Sequence, residues 1–327
     1  MRFLPTDEQS DFARTLRSLL GAAEVPATVR AWADGEHGPG RALWSRLAGT
    51  GLFALAAPEP YEGLGLLPLE LSLGFVELGR AGVPGPLVES AAVSVLLSEL
   101  GDEVLAKRFV PGLVAGGSSA TLTLPGGGPY ALDADAATHC FTVSPAGELR
   151  LAGGRGERLA STDPARRLYR PAPDGELLAA GPAVVAAAET ALRWARLLTA
   201  AQCLGVGEAL LARTVEYAKQ RTQFGAPIGS FQAVKHRLAD TLLALEFARP
   251  LVWAAALSPA APDVAAAKLS AGEACHRAAM TALQLHGAIG YTEELDLSLW
   301  LRKARPLRDA WGTPSTCRSE VLRRGEG

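Results

Sequence analysis

The chain has 327 residues, with 32 Lys and Arg against 34 Asp and Glu, a net charge of −2, and 48% of its residues are hydrophobic. Charges of both signs are interspersed, which argues against a nucleic-acid partner or a polybasic membrane contact. Length and apolar content suffice for a sizeable core, built as one large domain or as two to three smaller ones.

The start, Met1-Arg2-Phe3-Leu4-Pro5, runs at once into acidic residues and has no apolar h-region, so no secretory signal is expected. No run of about 18 apolar residues is free of charge, so no membrane span is expected. Cys140, Cys203, Cys275 and Cys317 are far apart and in no metal spacing. They read as free thiols in a reducing cytoplasm.

Residues 1–118 predict an N-terminal α-helical domain. Thr6-Asp7-Glu8-Gln9 fits a capping box, and Phe12, Leu16, Leu19 and Leu20 follow at helical spacing. Leu43, Leu47 and Leu52 continue an apolar face. Pro58-Glu59-Pro60-Tyr61-Glu62-Gly63-Leu64-Gly65 is a turn-rich loop, and Leu69 to Leu78 is helical again.

Residues 119–183 change character and predict a reduced β-strand middle domain. Thr121–Leu124, Cys140–Val143 and Glu148–Leu151 alternate with period two between Gly, Pro and Asp clusters. Gly126 to Gly128 could pass for a phosphate loop, but with no following helix and no Lys a tight turn is the better reading.

Residues 184–327 predict a C-terminal four-helix bundle, with Ala-rich helices at 184–220, 230–257, 263–287 and 293–305. Phe231, Val234, Leu238, Leu242 and Leu245 define one face of the second. Bundles of this kind often bury surplus apolar faces in oligomers. The predicted fold class is therefore mostly α with a small β domain.

Two segments carry chemistry. In Arg221 to Gln232 a helix ends, a Gly/Pro loop turns, and a new helix starts with Ser230 as its expected N-cap. An Arg fork beside a helix N-terminus suits a pyrophosphate. The plainer reading is a helix–helix turn with a solvated Arg, and spacing alone favours it. In Gln284 to Glu293, small residues at Gly287, Ala288 and Gly290 let another group approach the backbone, and Gln284 offers a donor and an acceptor. The plainer reading there is a glycine-rich helix C-terminus, with His286 a structural hydrogen-bonder. No strand precedes it, so it is no Rossmann fingerprint.

Taken together, the two segments resemble the "RxQFG…FQ" and "QxxGGxGY" motifs of acyl-CoA dehydrogenases. The loop Pro58 to Gly65 resembles that family's "PEEYGGLG", and Arg308-Asp309-Ala310-Trp311-Gly312-Thr313 its C-terminal signature. The resemblance covers most of residues 1–118 and 184–320. It implies FAD as cofactor, an acyl-CoA substrate and an electron-transfer acceptor. Arg221, Gln223, Phe224, Gln232, Gln284, Gly287 and Ala288 would touch FAD held by a neighbouring subunit.

The departures matter as much. The residue before Gly-Thr in that family is the glutamate that removes the substrate α-proton; here it is Trp311, and an indole accepts no proton near neutral pH. The alternative family position for the base is Ala195, followed by Arg196. The middle segment lacks the family's "TEPxxGSD" and "WITN" stretches, and Leu122 to Gly128 is a poor remnant of the first. The chain thus resembles the catalytically degenerate subunit of α2β2 acyl-CoA dehydrogenases, as in actinobacterial steroid degradation. It would complete the FAD site of a catalytic partner, and Trp311 is expected to fill the vacated position. Two alternatives stand beside this: an active homo-oligomer with a base relocated to Asp309, Glu293 or Glu320, or a cofactor-free structural paralogue.

Overall fold

The computed structural model describes residues 4–323; Met1 to Phe3, part of the N-terminal stretch read above, lie outside the described residues. The N-terminal part holds α1 (Asp7–Gly21), α2 (Val25–Ala33), α3 (Gly38–Ala48), the short strands β1 (Ala56–Ala57) and β2 (Gly65–Leu66), α4 (Pro68–Ala81), α5 (Leu87–Glu99) and α6 (Glu103–Val114). The capping box forms at α1: Gln9 N donates to Thr6 Oγ1 at 3.3 Å and Thr6 N donates to Gln9 Oε1 at 2.9 Å. Two amide donors at the helix start are thereby satisfied.

Two sheets follow. Strands β3 (Ala120–Thr123), β4 (Ala131–Leu132), β5 (His139–Val143), β6 (Glu148–Ala152), β7 (Glu157–Leu159), β8 (Leu168–Arg170) and β9 (Gly175–Ala180) pair in the orders β3-β5-β6-β9 and β4-β8-β7. The β3–β5 pair is parallel, and every other neighbour is antiparallel. The three expected strands are present. The other four carry little alternation of their own and take their conformation from their neighbours.

The last part begins with α7 (Pro182–Gln220), turns through the hairpin strands β10 (Thr222–Gln223) and β11 (Ala226–Pro227), and continues as α8 (Gln232–Leu257), α9 (Ala261–His286), α10 (Leu297–Asp309) and α11 (Pro314–Arg323). Ser230 is not the N-cap of α8. It closes a 3-10 turn, its hydroxyl donates to Pro227 O at 2.7 Å, and Phe231 holds the cap position. Helix α10 lies later than expected and runs through Pro306, and α11 has no counterpart in the sequence reading.

Helix α7 runs for 39 residues. By length and composition it could cross a bilayer, but 83% of its apolar window is buried in the molecule. It is apolar on all sides because protein surrounds it. It packs against α4, α5, α8 and α9. Its crossing with α4 is backbone-close: a Cβ at Gly205 would lie 1.9 Å from Val76 O, so only glycine permits the approach. One apolar core runs from Leu16 in α1 through Phe141 in β5 to Leu307 in α10. The four cysteines form no disulfide.

Candidate functional site

The loop between α10 and α11 is held from beneath by two buried cations. Arg196 Nε on α7 donates to Trp311 O at 2.8 Å and also pairs with Glu320 on α11. Lys268 Nζ on α9 donates to Arg308 O at 2.7 Å and Gly312 O at 3.4 Å, taking up carbonyls at the end of α10. Trp311 itself adopts φ 60°, an uncommon left-handed conformation for a bulky residue. Its backbone is therefore over-determined by its neighbours.

The side chain of Trp311 is 6% exposed. Its indole lies on the turn after β3, where a Cβ on Gly127 would come within 2.4 Å of Cζ3. That turn is the tight one expected from Gly126 to Gly128, closed by Gly127 N donating to Leu124 O at 3.0 Å. On its other side Trp311 Nε1 donates to Glu89 Oε1 at 3.2 Å. Trp311 thus fills the space at this junction of α5, the β3 turn and α7.

Glu89 is the residue that sequence reasoning missed. It is 3% exposed, and burial raises its carboxyl above the usual range, opposed in part by the charge of Arg166. Its second oxygen, Oε2, has no partner among the described residues. A cavity of about 10 Å³ lies beside it, lined also by Gly85, Arg166, Gln202, Lys303 and Leu307. That is room for about one water molecule. The signal available in the sequence was a carboxylate inside the apolar run Leu87 to Leu97.

The three carboxylates considered as relocated bases lie elsewhere. Asp309 pairs with Arg305 at 3.2 Å, Glu293 with Arg302, and Glu320 with Arg196. None lines the cavity. Ala195 is fully buried on α7 beside Arg196. Among the described residues no group of three or more His, Cys, Asp or Glu could hold a metal.

The two polar motifs meet at one end of the bundle. The ring of Tyr217 near the end of α7 stacks on His286 at the end of α9, centroids 4.1 Å apart, and Tyr217 Oη donates to His286 O at 3.4 Å. His286 Nδ1 sits 2.8 Å from Ala282 O, and a carbonyl only accepts, so Nδ1 carries the proton. Burial holds its pKa low, which suits a neutral structural ring. Between α7 and α8, β10 and β11 pair Thr222 with Pro227 and Gln223 with Ala226. The two turn residues, Phe224 and Gly225, have φ 53° and 77°, the double positive φ of a tight hairpin.

Arg221, Gln223, Phe224, Gln232, Gln284, Gly287 and Ala288 are all exposed here. Phe224 is 95% exposed and its ring meets Phe231 edge-on at 6.3 Å. A large aromatic group in a left-handed backbone, with its face in solvent, points to a contact outside the chain. Leu243, Phe247 and Leu251 extend an exposed apolar stripe at i, i+4 spacing along α8.

The chain is similar to known proteins over most of its length. Residues 6–117 match the family model "Acyl-CoA dehydrogenase, N-terminal domain" and residues 185–325 match "Acyl-CoA dehydrogenase, C-terminal domain". Acyl-CoA dehydrogenase IpdE2 of Mycobacterium tuberculosis is 35% identical over 98% of this chain and 97% of its own length. A chain of the ChsE4-ChsE5 complex from Mycobacterium tuberculosis is 27% identical, with a TM-score of 0.85 over 100% of this chain and 98% of that one. A chain of the Tcur3481-Tcur3483 steroid ACAD is 25% identical, with a TM-score of 0.85 over 98% and 99%.

Proposed function

The chain belongs to the acyl-CoA dehydrogenase family, and on that premise we propose that it is a non-catalytic subunit which completes the FAD site of a catalytic partner. The complex would carry out α,β-dehydrogenation of an acyl-CoA thioester from lipid or steroid breakdown. The observation that carries this reading is the closure of the cleft around Trp311. An indole that is 6% exposed stands where a carboxylate would act, wedged between Gly127 and Glu89. Neither an acyl group nor a flavin ring fits there.

The residues present fit one half of FAD. Arg221 offers a fork to a phosphate, and Gln223, Gln232 and Gln284 offer donors and acceptors, all exposed at one end of the bundle. When bound, FAD supplies the hydride acceptor of the reaction. This chain binds and orients its adenosine end, and reoxidation falls to an electron-transfer acceptor. The exposed stripe on α8 together with Phe224 supplies apolar area for the partner. The solved ChsE4-ChsE5 complex, one chain of which this chain resembles, joins two different proteins, as the proposed assembly does. A cytoplasmic setting accords with four unpaired thiols.

The test is the visible spectrum of the chain purified alone, with heat-released FAD counted per chain. A colourless protein that turns yellow only when co-purified with a catalytic acyl-CoA dehydrogenase subunit supports the reading. About one FAD per chain without a partner, with acyl-CoA turnover, refutes it and favours the homo-oligomer. In that case Glu89, the carboxyl that touches Trp311, is the first base to test. Absence of FAD from every complex the chain forms would favour the cofactor-free paralogue.

A further inference from the structure

Far from the bundle, one buried cation joins the N-terminal helices to the middle sheets. Arg167 directly precedes β8 and is buried. Its Nη1 donates to Trp32 O near the end of α2, and its Nη2 is in contact with His37 Nε2 at the start of α3. Its Nε and Nη2 donate to Asp135 Oδ1 at 3.3 Å and 3.1 Å. Asp133 Oδ1 accepts the Arg167 amide at 3.0 Å, and Asp133 N donates to Arg167 O at 2.6 Å. The Trp32 ring packs on both neighbours, with the Arg167 guanidinium 5.5 Å and the His37 ring 4.8 Å from its centroid.

The His37 contact works in one protonation state only. A guanidinium donates and never accepts, so His37 Nε2 is the acceptor and carries no proton. His37 is therefore neutral here, with its proton on Nδ1. Protonation would set N–H against N–H and place a second positive charge beside a buried one. Arg167 from the sheet and Arg41 from α3 oppose a charge on the ring, and the Asp135 carboxylate, 3.8 Å from Nε2, favours one. Tyr169 on β8 faces the same Asp135, and Asp133 lies 3.9 Å from the guanidinium. Burial and Arg167 prevail, and the His37 pKa is held below its ordinary value of 6.5. Burial pushes the Asp133 carboxyl up to about 7, so its own titration is centred above that of His37.

We propose that Arg167 and His37 form a proton-operated latch between the α2–α3 turn and the sheet of β4, β7 and β8. With His37 neutral the latch is shut, and Arg167 ties the turn to the sheet. When His37 takes up a proton, the Nε2 contact is lost, like charges face each other and the turn is released. The helices themselves do not depend on the latch, because Val25, Val29, Leu43 and Leu47 pack in the main apolar core. Release therefore loosens the turn without unfolding α2 or α3. A groove of about 270 Å³ lies beside the latch, with Val29 and Ala33 of α2 on one wall and Asp163, Pro164 and Ala165 of the segment before Arg167 on another. Its width follows the state of the latch.

The test is hydrogen–deuterium exchange of the full chain from pH 7.5 to 5, corrected for the intrinsic rate at each pH and followed at the amides of the α2–α3 turn. Opening that frees a ring of ordinary pKa should become up to about tenfold more frequent per pH unit below 6.5, until the latched ring titrates as well. Amides in the middle of α7 should show no such slope. H37Q offers Arg167 an amide oxygen that accepts at every pH, so it should abolish the slope. D133N cannot titrate at 133 and should keep it. Nitrogen-15 spectra at pH 7.5, with His37 assigned by its absence from H37Q, should show that ring protonated on Nδ1. A slope that persists in H37Q, vanishes in D133N or is missing from the wild type overturns the latch, and so does an Nε2-protonated His37 at pH 7.5.

Discussion

Replacing Trp311 by Ala tests whether the indole closes the cleft as a packed core residue. An aromatic side chain buries about 200 Å², worth about 5 kcal/mol at roughly 25 cal/mol per Å². Measured Trp→Ala losses in cores run at about 3–5 kcal/mol. The substitution also removes the indole N–H from Glu89 Oε1, leaving the buried carboxyl without a side-chain donor among the described residues, at a cost of about 1–3 kcal/mol. We expect a loss of about 5 kcal/mol, seen as a drop of roughly 10 °C or more in Tm by scanning calorimetry. Trp311→Phe keeps most of the ring and should lose about 1–2 kcal/mol, the share of the missing N–H. A loss below about 1 kcal/mol for W311A would falsify the packed-plug account, because a surface tryptophan behaves that way. Glu89→Gln supplies the electrostatic half. The folded carboxyl titrates above its unfolded value, so its contribution is complete below the unfolded pKa and is lost as pH rises through the folded one. The E89Q protein should therefore gain on the wild type as pH rises, and pH curves that stay parallel would show that Glu89 is not held neutral by burial.

Three further outcomes follow from the geometry. Asp133 is fully buried and burial pushes its pKa from 3.8 up to about 7, with Arg167 pulling the other way. Its contribution to stability is complete below about pH 4 and is lost as pH rises through about 7, so D133N should gain relative to wild type across that window and not above it; a constant difference from pH 4 to 8 in urea unfolding would refute this. Arg196→Ala strips a buried cation from Trp311 O and Glu320 and should cost about 3 kcal/mol in the same assay, whereas a loss near zero would mean the loop is held by Lys268 alone. Phe224→Ser should leave the isolated chain's stability unchanged within about 0.5 kcal/mol while weakening its co-purification with a flavin-bearing partner, and full retention of that partner would remove Phe224 from the interface.

Much of the architecture was legible because it rests on short-range physics. The Thr6–Gln9 capping box, the long Ala-rich helices and the strands at 121, 140 and 148 each announce themselves through local hydrogen bonding or periodicity. Strands β7, β8 and β9 do not, since their pairing energy comes from residues far along the chain. Helix α10 lies later than expected because its start is set by packing on α7 and α9, and α11 was not anticipated although Pro314 sits in its first turn, where proline is welcome. Ser230 carried a true N-cap preference, but the turn before it had already engaged its hydroxyl.

By itself the sequence determined which groups are present: no carboxylate at 311 or 195, and an Arg and three glutamines in the two motifs. A base at either of those two positions is excluded without coordinates, because neither an indole nor a methyl group accepts a proton near neutral pH. Tertiary structure alone decided where those groups stand relative to one another. It set Trp311 against Gly127 and Glu89, residues 184 and 222 positions away, and Arg167 against His37, 130 positions away. Burial and charge pairing depend on which distant segments touch, and the energy of such contacts is written in no local pattern.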